Sequence, residues 1–363
     1  MKLIESFKKI DAKNKIFIIG GIIIVLFVII IGIASLFKKS NMSFEQMEQK
    51  LKSAAQIYYD SRAEKLPKQD GEKVAVTVDE LVEAKSLKPL NKLNKKEICT
   101  GQVTVINNNG SYLYLPSLDC GKSYQTVTLS SKIKELNNVV TAGNGLYQID
   151  NDYVFRGENV NNYVSFADKT WRILRVNEDN TIRIIHYAKT DDVVWDNRYN
   201  SVTQGTDGIN NYLVSRIRDK VNETYNSEKF FNDIQRSYIV SHDVCTGKRT
   251  DESDTSLECS NILENQPLSL LRVSEFLTAS IDPQCKSARD MNCMNYNWIT
   301  DFPDDFWTVT ADATNTSHAY MISGIAYSDK AYKYASLNVV LHLSGDLKYV
   351  GGDGTENNPY IIK

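Results

Sequence analysis

Two short acidic stretches and three tryptophans have the types and spacing that could do chemistry in this chain. "DFPDDFW" sets Asp301, Asp304 and Asp305 beside Trp307, and "GGDGTENNP" sets Asp353 and Glu356 in a glycine-rich turn. Calcium needs several oxygens converging on one point, and either stretch offers two or three. Neither has the spacing of an EF-hand loop. The plainer expectation is a solvated acidic loop for the first, and for the second a turn leading through Pro359 into a last edge strand. No cofactor and no metal is expected; calcium is the one ion these loops leave open. Trp195, Trp298 and Trp307 offer indole faces on which sugar rings could stack. With Asp304 and Asp305 they form the candidate ligand-binding set, against the alternative that the indoles belong to the core. No HExxH, P-loop, GxSxG or Cys–His signature occurs. His186, His242, His318 and His342 are scattered, and His186 and His342 fall inside expected strands as structural residues. No catalytic residue is assigned, and the chain is not read as an enzyme.

Arg172, Arg175 and Arg183 stand among apolar residues in "KTWRILRVNEDNTIRIIHY", which reads as two strands around a polar turn. Apolar residues fall on both faces (Ile173 against Leu174, Ile184 against Ile185), so the hairpin is expected to be covered on both sides, with its arginines paired to acids at the sheet rim. A nucleic-acid surface is not expected, because the net charge of the 363-residue chain is only -3. Ile16 to Phe37 is a run of 22 uncharged residues, roughly 33 Å as a helix, and predicts a transmembrane span that contacts the lipid bilayer. Lys2, Lys8, Lys9, Lys13 and Lys15 precede it, against Lys38 and Lys39 after it. That places the N-terminus in the cytoplasm and the rest outside, as an uncleaved signal anchor. All six cysteines follow this segment. Nearest-neighbour pairing (Cys99–Cys120, Cys245–Cys259, Cys285–Cys293) closes short loops and is the expected pattern in an oxidising compartment.

The elements that must position these residues divide into two units. Phe44, Met47, Leu51 and Tyr58 recur at helical spacing behind a Ser43–Gln46 capping box, with Pro67 as a stop. A strand and a short helix capped by Thr77 or Asp79 follow. "GQVTVINNNGSYLYLPSL" then reads as a hairpin bracketed by Cys99 and Cys120. Anchor, helix and small sheet in this order resemble type IV pilins and pseudopilins, although the prepilin cleavage motif is missing. The expected division is a cytoplasmic tail (1–15), a transmembrane helix (16–37), a pilin-like module (38–128), a linker (129–145) and an extracellular domain (146–363).

In that last domain, Trp171–Leu174, Ser215–Tyr225, Leu268–Glu275, Phe306–Thr310 and Leu337–Ile362 follow one another as a Trp-Arg hairpin, a helix, a strand running into a helix, an aromatic strand and a closing Gly-Gly-Asp-Gly-Thr segment. The succession resembles a group of surface domains of Gram-positive-type bacteria whose fold is similar to that of C-type lectins and formylglycine-generating enzymes. The resemblance covers nearly all of residues 150–363 and implies an irregular α+β domain. The calcium-binding Glu-Pro-Asn and Trp-Asn-Asp segments of lectins are absent, and the cysteines are assigned to bridges. Neither sugar binding nor the oxidation therefore carries over. The expected fold class is α+β: a transmembrane helix, a small pilin-like module and a larger C-type-lectin-like domain. The expected function is a membrane-anchored surface protein that binds or adheres to an extracellular glycan or protein. A structural subunit of a pilus-like assembly is the first alternative, and an enzyme acting on an extracellular polymer is the second.

Overall fold

The computed structural model describes residues 41–108, 110–250 and 256–362. The fold is mixed α+β, but its expected transmembrane component is corrected. Among the described residues no helix is long and apolar enough to cross a membrane. The longest helix below, α1, has 17 residues and carries Glu45, Glu48, Lys50 and Lys52. The run from 16 to 37 lies outside the described residues, as does the tail before it.

Helix α1 (Phe44–Asp60) begins at the expected box. Ser43 Oγ accepts from the Gln46 amide, and Gln46 Oε1 accepts from the Ser43 amide. The helix ends at Asp60, short of Pro67. Its buried stripe of Met47, Leu51, Ala54, Ala55 and Tyr58 packs on an antiparallel sheet of β1 (Lys73–Thr77), β2 (Thr100–Asn108) and β3 (Ser111–Asp119). Thr77, rather than Asp79, caps the short helix α2 (Val78–Glu83). The Cys99–Cys120 bridge joins the open end of the β2–β3 hairpin.

The two faces of that hairpin serve different cores, as a period of two allows. Val103 and Val105 face α1, whereas Ile106, paired with Leu113, joins the larger core together with Leu115. The stretch expected as a linker is also part of that core: helix α3 (Leu129–Leu136) buries Leu129 and Ile133 completely. The short helical turn Leu90–Leu93 lies on the first core.

The larger core draws residues from two sheets and the helices packed on them. The first runs β10 (Ile239–Val240), β19 (Val340–Leu343), β8 (Ile182–His186), β7 (Lys169–Val176), β6 (Tyr163–Phe166), β21 (Tyr360–Ile362), β20 (Tyr349–Gly351), with β5 (Asp152–Arg156) beside β7, β4 (Gly145–Ile149) beside β5 and β14 (Leu268–Ser269) beside β19. The second runs β17 (Ile325–Lys330), β16 (His318–Ser323), β15 (Phe306–Asp312), β18 (Tyr334–Ser336), β9 (Asp192–Val194), with β12 (Lys248–Arg249) beside β15. The expected "SRIRDKVNETY" helix is α4 (Arg216–Asn226), which buries Ile217 and Val221, and α5 (Asp233–Ser237) follows. A small pair, β11 (His242–Cys245) with β13 (Ile262–Gln266), leads to α6 (Val273–Ala279).

Hydrogen bonds fasten the N-terminal unit to the large one. The side-chain amide of Asn108 donates to the carbonyls of Arg236 at 3.1 Å and Ile239 at 2.5 Å. Lys348 reaches across to Glu48 and to the Tyr124 hydroxyl, and both that hydroxyl and Thr126 donate to Glu48. The backbone amide of Leu129 donates to the Leu347 carbonyl, and that of Tyr349 to the Val127 carbonyl. All four tryptophans follow residue 170, so their fluorescence reports only the large unit. Asn108→Ala strips buried carbonyls of their donor and should lower stability by about 1–3 kcal/mol. The tryptophan-detected urea transition should shift with it. An unshifted tryptophan transition would mean that the two units unfold independently.

Candidate functional site

The β7–β8 turn fixes the centre of the site. Asn177 N–H donates to the Thr181 carbonyl, Asn180 takes a left-handed φ of 65°, and Asp179 accepts from the Thr181 amide and hydroxyl. This register sets Arg175 directly opposite Arg183. Like charges facing each other across a strand pair need a shared counterion. Glu275, on the first turn of α6 and 8% exposed, supplies it.

Arg183 donates from Nε to Glu275 Oε1 at 2.6 Å and from Nη2 to Oε2 at 3.0 Å. Arg175 donates from Nη1 to the same Oε1 at 2.7 Å, and Arg272 Nη2 lies 3.6 Å from it. The Arg272 amide donates to Glu275 Oε2, so the carboxylate also closes the first turn of α6. Burial alone would raise the Glu275 pKa, but the charges of Arg183, Arg272 and Arg175 outweigh it and hold the group well below the usual carboxylate range. Burial draws Arg183 down to about 10, against the opposing pull of Glu275, so both partners stay charged at neutral pH.

These groups form one side of an open cleft of about 510 Å³. Asp152 is the second acid at the arginines, 3.3 Å from Arg175 Nε. Glu275 and Asp152 are the two acids in direct contact with these three guanidinium groups. Among the described residues Arg175 Nη2 and Arg272 Nε make no hydrogen bond. Glu178, Asp179 and Asp243 also line the cleft, from the β7–β8 turn and from β11. A smaller cavity of about 170 Å³ shares Asp152, Arg175 and Arg272; its remaining lining is mixed, with Val154, Leu174 and Ala279 beside the polar Asp150, Ser274 and Thr278.

Two histidines complete the cleft wall. His242 and His342 stack with ring centroids 3.8 Å apart. Burial lowers the pKa of both; Arg183 and Arg175 lower both further, and Asp179 and Asp243 partly oppose this at His242. His186, packed on Trp171 and Phe230, is drawn down to about 4 by burial and then by Lys169.

The candidate ligand-binding residues take other places. Trp195, Trp298 and Trp307 are fully buried, and each indole N–H donates to a backbone carbonyl, of Thr308, Phe155 and Val193 respectively. Their faces are core surfaces, so the stacking platform is corrected. Asp304 pairs with Lys189 at 2.9 Å, and Asp305 is exposed. In the closing segment Asp353 accepts from the amide and hydroxyl of Thr355 within its own turn. The glycines there answer a steric need: a Cβ on Gly352 (φ 89°) would meet the Pro359 carbonyl oxygen at 1.9 Å. Among the described residues no group of three or more His, Cys, Asp or Glu side chains is placed to hold a metal ion. Arg172 also departs from expectation. It has no carboxylate partner among the described ion pairs, donates to Asn162 and Tyr163, and lies 3.9 Å from the Tyr163 ring centroid and 4.7 Å from that of Trp298. The three bridges join the expected neighbours.

Arg175, Arg183 and the Leu268–Glu275 segment are visible in the sequence, but their convergence is not. The one local signal is the pair of arginines opposed across a hairpin that must be buried. Comparison with protein-family models, curated proteins and solved structures finds no significant match.

Glu275→Gln keeps the shape and removes the charge, leaving a buried Arg183 uncompensated; a loss of about 3–5 kcal/mol is expected in urea unfolding. Acid should weaken the fold through the histidines. His186 and His342 bind protons less readily folded than unfolded, so stability is full above the unfolded pKa of 6.5 and falls as pH drops below it, by up to about 1.4 kcal/mol per pH unit for each. For His186 the window closes near pH 4. A flat stability curve from pH 7 to 5 would contradict this.

Proposed function

We propose that the chain is an extracellular binding protein and that the arginine-walled cleft receives a ligand bearing a carboxylate. The observation that carries this reading is the pair of guanidinium groups lining the cleft, Arg175 and Arg272, each with a nitrogen that makes no hydrogen bond among the described residues. A planar fork facing a cleft matches the two oxygens of a carboxylate. Glu178, Asp179 and Asp243 offer places for a cationic group on the same ligand, and the smaller cavity, with Val154, Leu174 and Ala279 on part of its wall, offers space for a small side chain. A short peptide with a free carboxyl end combines these three properties. Three disulfides among the described residues support an oxidising, extracellular setting. The resemblance to C-type-lectin-like surface domains supports the same class of protein, with peptide in place of sugar.

The test is calorimetric titration with short peptides, the same peptides as C-terminal amides, and neutral oligosaccharides. Saturable binding of the free acids is expected, weakened about tenfold or more by amidation and by Arg175→Gln. Equal binding of acid and amide, or binding of neutral sugars alone, would overturn the assignment.

A further inference from the structure

The same guanidinium that faces the cleft also lies against a disulfide. Arg272 Nη1 is 3.7 Å from Cys245 Sγ and 3.6 Å from Cys259 Sγ. Cys259 is exposed, and Cys245 is half-buried and lines the cleft. The other bridges are set differently. Cys120 and Cys293 are buried, at 4% and 1% exposure. The sulfurs of Cys285 and Cys293 lie against the backbone carbonyls of Leu277 and Ser287, which disfavour negative charge.

We propose that the Cys245–Cys259 bridge is a thiol-exchange site, which a small dithiol opens before either other bridge because Arg272 stabilises the departing thiolate. Exchange rates depend on access to the attacked sulfur and on the stability of the leaving thiolate, and both favour this bridge. A thiolate of the dithiol attacks the exposed Cys259 Sγ. The Cys245–Cys259 bond breaks, a mixed disulfide forms at Cys259, and Cys245 leaves as a thiolate beside Arg272. The second thiolate of the dithiol then attacks its own sulfur in the mixed disulfide. Cys259 is released and takes up a proton, and the dithiol, having given up two electrons, becomes a cyclic disulfide. On the ligand reading above, the new thiolate competes with the ligand carboxylate for Arg272; the exchange site itself does not depend on that reading.

The experiment is a titration of the native full chain with dithiothreitol, quenched by alkylation, with each cysteine read by peptide mass spectrometry. Cys245 and Cys259 should be labelled at the lowest dithiol concentration. Arg272→Met should raise the concentration needed for that pair by about threefold or more, on the scale of a partly exposed charge contact, while Arg272→Lys should retain the wild-type order. The labelling of Cys99, Cys120, Cys285 and Cys293 should not move. Should Arg272→Met fail to fold, the wild-type order and the Arg272→Lys result decide. Another pair opening first, or an unchanged midpoint in a folded Arg272→Met, overturns the proposal.

Discussion

One buried carboxylate, Glu275, holds the charged part of this fold together. It joins the β7–β8 hairpin to α6 through Arg183 and Arg175, and it ties Arg272 to both. A buried ion pair contributes little net stability when it merely replaces apolar packing, because desolvation offsets the Coulomb gain. Here the pair is required by the backbone. The hairpin register places Arg175 opposite Arg183, and like charges so opposed, one of them buried, require an acid between them. The cluster specifies which helix docks on the hairpin and which groups remain to face solvent.

The site follows from the same constraint. Glu275 satisfies Arg183 with both oxygens and has only one short contact left for Arg175, so the outer edges of Arg175 and Arg272 stay open to the cleft. Arg172 shows the alternative fate of an arginine in the same strand: enclosed by Tyr163, Tyr187 and Trp298 and bonded to Asn162, it needs no ligand and offers none. Arg272 is the link between chemistries, shared by the acid of α6, the cleft and the Cys245–Cys259 bridge.

Much of the architecture is legible in the sequence, because its signals are local. The Ser43–Gln46 box, the Asn-rich hairpin turns, the apolar stripe of Ile217 and Val221 and the nearest-neighbour cysteine bridges lie within a few to about twenty residues. The site is far less legible. Glu275 stands 100 residues from Arg175 and 92 from Arg183, and no local pattern announces their meeting. Trp195, Trp298 and Trp307 mislead for the complementary reason: an indole suits a sugar platform and a core equally, and only the packing of two sheets decides. The polar stretch at 129–145 reads as a linker because its helix shows few apolar residues, yet Leu129 and Ile133 reach the large core.

The most direct test of the account is the nitrogen–proton NMR signal of each guanidinium Nε during addition of a short peptide with a free carboxylate. The signals of Arg175 and Arg272 should move together and saturate, while that of Arg183, spent on Glu275, stays in place. Movement of neither open arginine under saturating peptide, or movement only of surface groups far from Glu275, would contradict the cleft as the binding site.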